Sequence, residues 1–459
     1  MPRLVAVLGL AVFLGIAWAV STNRKAVPWR LVGWGMGLQL LFGLAILKTP
    51  PGEALFAWLS RAFEKLISFT DAGAGLVWGW LYRRDAPPIF LVDLLMTIVF
   101  FAALTSVLYH LGVMQKVIEA VARVMRRTMG SSGAETLCAA SNIFVGQTEA
   151  PLVVRPFLDT MTRSELHAVM TAGFATIAGS VLGAYVQFGL DAGHLVAASF
   201  MSAPAALVAA KMFLPETEIS PTAGDVRLPR ERTTTNVFDA ACVGAAEGLK
   251  LALTVVAMIV AFVSLIAMLN WGLGALHRLV VPSTTDPVTL QRIFGWLFAP
   301  VAWLMGVPWS DCPEIGALLG TRMVLNEFVA YIELAKADVS ARAHVVATYA
   351  FCGFANFASI AIQIGGIGML SPARRADLAK LGLRAMLAGT LASFLTACIA
   401  NVLLSDEQVD RDYRFNRARA ARTAEERRRE VDVFLEKWPE SPYRDRLLKL
   451  RDEPLPKRP

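Results

Sequence analysis

The chain has 459 residues, 55% of them hydrophobic and 18% charged, with a formal net charge of +7. Soluble domains carry about a quarter charged residues, so one large soluble enzyme is excluded. The average conceals a division: residues 405–459 hold 15 Lys or Arg and 13 Asp or Glu, which leaves 29 basic and 24 acidic residues in the first 404. The body is composed for a membrane and the tail for water. Cys138, Cys242, Cys312, Cys352 and Cys398 are scattered, without a C-x-x-C pair or a histidine at ligand spacing. They read as small apolar residues inside helices, not as disulfides or a zinc site.

A helix needs about 20 mainly apolar residues to cross the hydrocarbon layer. Segments 4–20, 31–47, 89–111, 166–190, 195–214, 249–269 and 381–404 meet that need. An eighth, 345–370, is interrupted by Asn356, Ser359, Gln363 and four glycines. Ala17-Trp18-Ala19 imitates a signal-peptide cleavage site, but only Arg3 precedes the apolar run and a basic loop follows; the first segment therefore reads as a span. Within 53–69, Leu55, Phe56, Leu59, Phe63, Leu66 and Ile67 recur at helical spacing, which predicts an amphipathic helix in the interface.

Basic residues set the orientation. Arg24, Lys25 and Arg30, then Lys116, Arg123, Arg126 and Arg127, then Arg155 and Arg163 fall on one side if the N-terminus is outside. So do Lys211, Arg227, Arg230, Arg232 and Lys250, and Arg374, Arg375, Lys380 and Arg384. Arg61, Lys65, Arg83 and Arg84 are the exceptions, on the outer side. The expectation is eight spans with both termini outside, in an all-α polytopic membrane protein.

Two stretches are too polar to span and too apolar to be loops. The first, 130–157, contains S-N-I-F-V-G-Q-T-E-A-P at 141–151; the second, 288–334, breaks at 307–313 and ends in G-T-R-M-V-L-N-E-F-V-A-Y at 320–331. Each reads as a helix–break–helix that enters the membrane and returns, which is tolerated only where it is packed in protein or lines a wet cavity. Related patterns follow: F-A-T-I-A-G-S at 174–180 and F-A-N-F-A-S at 354–359. Glu149 precedes Thr176 by 27 residues and Glu327 precedes Asn356 by 29. By the orientation above the two units are opposed, the inverted repeat of secondary transporters. The organisation expected is therefore 1–129 (spans, interfacial helix and scaffold helix), 130–214 (first repeat), 215–287 (linker and scaffold helix), 288–404 (second repeat) and 405–459 (charged tail).

Glu149 and Glu327 lie in apolar surroundings, and Arg322 is the only Lys or Arg within five residues of either. A carboxylate at depth costs several kcal/mol unless hydrated or paired, so it is a functional candidate by default; the plainer alternative is a cap at a helix tip. Gln147, Thr148, Asn356 and Ser359 add uncharged donors and acceptors. That set suits a polar, uncharged solute; its alternative for Asn356 and Ser359 is interhelical hydrogen bonding.

At these residues the chain resembles the concentrative nucleoside transporter family. The resemblance rests on G-Q-T-E-A-P-L at 146–152, N-E-F-V-A-Y at 326–331 and G-F-A-N-F-A-S at 353–359, and covers about 27–404 in matching order. It implies a homotrimer in a bacterial inner membrane, eight spans, two re-entrant hairpins and ion-driven nucleoside uptake without an organic cofactor. Carried over by motif, Gln147, Thr148 and Glu149 would face the nucleobase, and Glu327, Asn356 and Ser359 the ribose, with Phe354 beside the sugar. A coupling sodium would be held by the side chains of Asn142 and Thr176 and the carbonyls of Val145 and Ile177. Thr176 departs from the serine frequent in relatives but keeps the hydroxyl, and leaves proton coupling open. Both hairpins with the fourth and seventh spans would move against the third and sixth.

An intramembrane enzyme is the rival class, but H-E-x-x-H, G-x-S-x-G and clustered histidines are absent from the sequence. A membrane nucleoside sensor that binds without transporting would present the same residues. In the tail, Val431, Phe434, Leu435, Leu447, Leu448 and Leu450 suggest two short amphipathic helices, faintly like one tetratricopeptide hairpin. Its charge favours a solvated, partly disordered appendage.

Overall fold

The computed structural model describes residues 2–79, 90–223, 234–281, 287–421, 424–439, 441 and 443–452, and all regular structure among them is helical. Arg83, Arg84, Arg227, Arg230 and Arg232 of the charge argument lie outside the described residues. Helices α1 (Pro2–Ala19) and α2 (Trp29–Leu47) are mainly apolar, interrupted by Arg3 in the first and by Arg30 and Gln39 in the second; α3 (Pro50–Trp78) starts where the Thr49 hydroxyl accepts from the Gly52 N–H at 3.0 Å. This last is the expected amphipathic helix, extended in both directions. Helix α4 (Phe90–His110) turns through Gly112, at φ 75°, into α5 (Val113–Met129), and the pair bends by 77°. In α5, Ile118, Ala122, Met125 and Met129 are buried at helical spacing, so it lies against the body on one face.

A succession of short and broken helices follows: α6 (Gly133–Ser141), α7 (Ala150–Val153), α8 (Arg163–Ala175), α9 (Gly179–Gln187) and the long α10 (Ala192–Phe213). The 44-residue α11 (Val237–Val280) runs along α4. After it the same order returns: α12 (Leu290–Leu304), α13 (Cys312–Val324), α14 (Glu327–Leu334), α15 (Ala341–Phe351), α16 (Phe357–Leu370) and the long α17 (Arg375–Leu403). The series α5–α10 and α12–α17 thus match element for element.

Among the described residues six helices are long and apolar enough to cross a membrane, seven if the bent pair counts as one span. The sequence pointed to eight because it read 345–370 as one segment; the chain breaks there into α15 and α16 at Cys352–Asn356. Segment 166–190 is likewise broken at Thr176–Ala178, with Thr176 extended at φ −126°, ψ 163°. The hairpin of the second series also differs. The expected break lies between α12 and α13, but a second one at Leu325–Asn326 is what places Glu327 at the start of a helix.

The centre is built from α8, α10 and α17 packed together. The apolar window of α10 is 89% buried within the chain and that of α11 only 18%. Helix α10 is lined by Ala197, Ala198, Ser202, Ala203, Ala206 and Ala209, all buried. Small side chains let helix backbones approach where apolar burial alone gives no advantage over lipid.

The tail is more ordered than its charge suggested. Helices α18 (Asp406–Ala420), α19 (Ala424–Lys437) and α20 (Arg444–Asp452) enclose a small core of Phe415, Ala418, Val431, Phe434, Trp438, Tyr443 and Leu447. The apolar residues at helical spacing outweigh the charge because α18, not foreseen in this role, supplies the missing face.

Candidate functional site

Four helix interruptions meet at the centre. The break after α6 is tied to the break after α8 by the Gly179 N–H donating to the Phe144 carbonyl at 2.9 Å. The break after α8 is tied to the break after α15 by the Phe354 N–H donating to the Thr176 carbonyl at 3.3 Å. Gly353, at φ 147°, lies so close to α8 that a Cβ there would stand 2.5 Å from the Phe174 carbonyl oxygen. Only glycine combines that backbone conformation with that approach.

Capping orients the polar groups. Asn326 Oδ1 accepts from the Val329 N–H at 3.0 Å and starts α14; Asn356 Oδ1 accepts from the Ser359 N–H at 2.8 Å and starts α16. With its oxygen engaged, Asn356 turns Nδ2 toward Glu327, donating to Oε2 at 3.4 Å. The other carboxylate oxygen of Glu327 accepts from the Tyr185 hydroxyl at 3.0 Å. Across the site, Gln147 Nε2 donates to the Ser359 hydroxyl at 3.2 Å, and Gln363 Nε2 donates to Gln147 Oε1 at 3.0 Å and to the Met170 carbonyl at 3.1 Å. Thr148 packs on α16, where a Cβ at Gly366 would meet its Cγ2 at 2.9 Å. Gln147, Glu327, Asn356 and Ser359 are all buried, and Phe354 is half-buried beside them.

Glu149 stands apart. It precedes α7, is exposed, and folds Oε2 back over Gly146; its electrostatic neighbours include Tyr109 on α4 and Glu247 on α11. The hydrogen bonds of the cluster therefore join Gln147 to Ser359 and Glu327 to Asn356, but do not reach Glu149.

Asn142, Val145, Thr176 and Ile177 are buried at the joined breaks after α6 and α8. Asn142 donates through Nδ2 to the Cys138 carbonyl at 3.0 Å, and its Oδ1 has no hydrogen-bond partner among the described residues. The Thr176 hydroxyl donates to the Ala172 carbonyl at 2.9 Å, leaving its oxygen lone pairs directed elsewhere. An amide oxygen, a hydroxyl and loop carbonyls at helix C-termini are neutral oxygen donors, of the chemistry that suits a hard monovalent cation.

Three further side chains complete the cluster. Gln363 was visible in the sequence only as an amide interrupting an apolar run; its Oε1 is buried without a partner among the described residues. Arg322 was visible as the one cation near a buried carboxylate. It is itself buried, with Nη2 donating to the Gly353 carbonyl at 3.3 Å and the Ser393 hydroxyl at 3.2 Å. Tyr185 gave no signal, being one tyrosine in an apolar span.

Broken helices converging on buried polar groups, in a polytopic helical protein with a repeated element order, define a secondary membrane transporter. Family models agree. The N-terminal model of Na+ dependent nucleoside transporters matches residues 8–81, a nucleoside recognition ("Gate") model matches 91–191, and the C-terminal model of Na+ dependent nucleoside transporters matches 194–401. The chain belongs to the concentrative nucleoside transporter family.

Sodium/nucleoside cotransporter 1 of Rattus norvegicus is 43% identical over 436 residues, which are 89% of this chain and 65% of the relative. This chain thus spans just under two thirds of the length of that mammalian protein. YutK, a transporter of Bacillus subtilis, is 42% identical over 400 residues, 86% of this chain and 98% of its own. Among solved structures, CNTnw in an inward-facing substrate-bound state superposes with a TM-score of 0.81 at 41% identity, covering 88% of this chain and 98% of that one. A doubly substituted CNTnw in an outward-facing state gives 0.82 at 40% identity, with the same coverage.

Proposed function

We propose that this protein carries nucleosides into the cell together with sodium, by alternating access. The observation that carries the reading is the convergence of Gln147, Ser359, Asn356 and Glu327 at crossed helix breaks, beside the neutral oxygen donors around Asn142. An ionised carboxylate accepts two hydroxyl protons from a ribose cis-diol, while the glutamine amide offers both a donor and an acceptor to a base edge. In this reading Glu327, Asn356 and Ser359 hold the ribose with Phe354 beside it. Gln147 and Thr148 face the nucleobase, and Glu149 joins them when the hairpin moves. Asn142, Thr176 and the carbonyls of Val145 and Ile177 take the sodium.

The topology follows. Counting α8–α9 and α15–α16 as one broken span each, with α1, α2, α4, α10, α11 and α17, makes eight. Helices α6–α7 and α13–α14 are the two re-entrant hairpins of an inverted repeat, and both termini lie outside a bacterial inner membrane. Both hairpins, with the broken spans α8–α9 and α15–α16, move against the scaffold of α4 and α11. The exposed apolar face of α11 (Leu253, Val260, Leu265, Met268, Trp271) meets lipid and the neighbouring copies of a homotrimer. Because the sodium set shares a loop with Gln147, ion and nucleoside each raise the other's affinity, as linkage requires. Uptake of radiolabelled uridine into proteoliposomes tests this: replacing external sodium by choline abolishes uptake, whereas indifference to sodium with dependence on a pH gradient would assign the coupling to protons.

A further inference from the structure

Glu327 and Tyr185 belong to different copies of the repeated helix order, Tyr185 to α9 and Glu327 to α14, yet the phenol O–H donates to Glu327 Oε1 at 3.0 Å in a fully buried setting. The tyrosine ring is itself fixed, its centroid 4.8 Å from that of Phe328 and 4.7 Å from that of Tyr331. The Tyr331 hydroxyl is engaged by the Thr348 carbonyl at 2.9 Å, so this neighbouring ring is also anchored. An aromatic side chain with two torsions, buried and packed against two other rings, holds its hydroxyl at one place.

A carboxylate has about four acceptor positions on two oxygens. At Glu327, Oε1 receives the phenol, whereas the side-chain donor to Oε2 among the described residues is Asn356 Nδ2, at the long distance of 3.4 Å, and the residue's own backbone N–H also faces the carboxylate. Asn356 cannot come closer by exchanging its amide ends, because its oxygen caps α16. Each oxygen keeps an acceptor position, and Oε2, the more loosely held of the two, is the more available to a ligand. A carboxylate held through one oxygen is restricted about its terminal torsion, which is otherwise broad.

We propose that Tyr185 is the positioning residue of the ribose site: by holding Oε1 it turns Oε2 of Glu327 toward the sugar hydroxyls, and thereby sets the preference for ribonucleosides over deoxynucleosides. This rests on reading Glu327 as the ribose carboxylate. Tyr185 acts on the sugar through the carboxylate it holds, so its influence is confined to sugars that use that carboxylate. The tilted ring contacts with Phe328 and Tyr331 are independent of the hydroxyl, and Tyr185→Phe retains them.

The test is sodium-driven uptake by the full chain in proteoliposomes, with uridine and adenosine each measured against its 2′,3′-dideoxy analogue. In Tyr185→Phe the ratio of ribonucleoside to dideoxynucleoside KM worsens about tenfold, the change expected for losing a hydrogen bond to a charged group. Maximal velocity for the ribonucleoside is maintained. An unchanged ratio overturns the proposal, whether both KM values rise together, as damage to packing would produce, or neither moves. Tyr185→Leu, which loses ring and hydroxyl, raises KM for both sugars and controls for the packing contribution. If the unsubstituted protein itself fails to distinguish ribo- from dideoxynucleosides, the ribose reading of Glu327 falls, and this proposal with it.

Discussion

At the scale of single residues the site is governed by one buried carboxylate. Glu327 is 2% exposed, and its partners are Tyr185 and Asn356, with Arg322 buried nearby. Such a charge is retained at depth only by hydrogen bonds and a neighbouring cation. Glu327→Gln keeps the volume and one acceptor while removing the charge. Each ribose hydroxyl bonded to a charged group contributes about 1.5–3 kcal/mol. Uridine uptake should therefore fall at least about a hundredfold while the purified protein elutes at its usual position and yield. Uptake at the unsubstituted rate would remove Glu327 from the ribose site. Sequence reading found this residue because a glutamate in an apolar run is conspicuous. It missed Tyr185, since tyrosine in a span is unremarkable until its hydroxyl is seen to meet an acid 142 positions away.

Among elements, the decisive feature is the crossing of two broken helices. Helix α8 ends at Ala175 and α15 at Phe351, and the interruptions touch through Gly353 and the Phe354–Thr176 hydrogen bond. The half-helix termini left there present carbonyls at C-termini and N–H groups at N-termini, the groups that coordinate cations and polar solutes. Gly353→Ala places a methyl group 2.5 Å from the Phe174 carbonyl oxygen at φ 147°. The substitution should destabilise the protein by more than about 1 kcal/mol, read as a lowered melting temperature in detergent with loss of uptake; an unchanged melting temperature would show that the crossing can relax. The motifs around both breaks were legible as polar interruptions. The turn at Leu325–Asn326 was not, because Val307-Pro308 is the louder breaker and Asn326 reveals itself only as a cap.

For the whole molecule, the unexpected element is the tail. Helix α18 lies across the ends of several body helices. Asn416 Nδ2 donates to Asp191 Oδ2 at 3.1 Å, and Gln408 Nε2 to the Leu47 carbonyl at 3.2 Å. Arg342 of α15 donates through Nη2 to Asp406 at 2.5 Å and through Nη1 to the Asn401 side chain. The Arg342 guanidinium holds the Asp406 carboxyl below the ordinary carboxylate range. A depressed carboxylate contributes stability above its unfolded value and loses it as pH falls through the lowered one, so acidification loosens this junction. Arg342→Ala should likewise speed hydrogen–deuterium exchange across 406–420 about tenfold. Unaltered exchange would mean that the tail is held elsewhere, through Asn416 and its neighbours.

What the sequence determined by itself was the medium and the parts. Charge depletion over 404 residues requires a membrane, and a carboxylate, amides and hydroxyls confined to short motifs mark where polar chemistry is kept, because each costs free energy in hydrocarbon. The tertiary structure decided what the parts do to one another. It joined Gln147 to Ser359 and Glu327 to Asn356 and Tyr185, and turned Glu149 toward Tyr109 and Glu247. It also gave the charge-dense tail a core by supplying α18. Composition and spacing act along the chain, whereas the orientation of a side chain is set by the hydrogen bonds and packing of elements far apart in sequence.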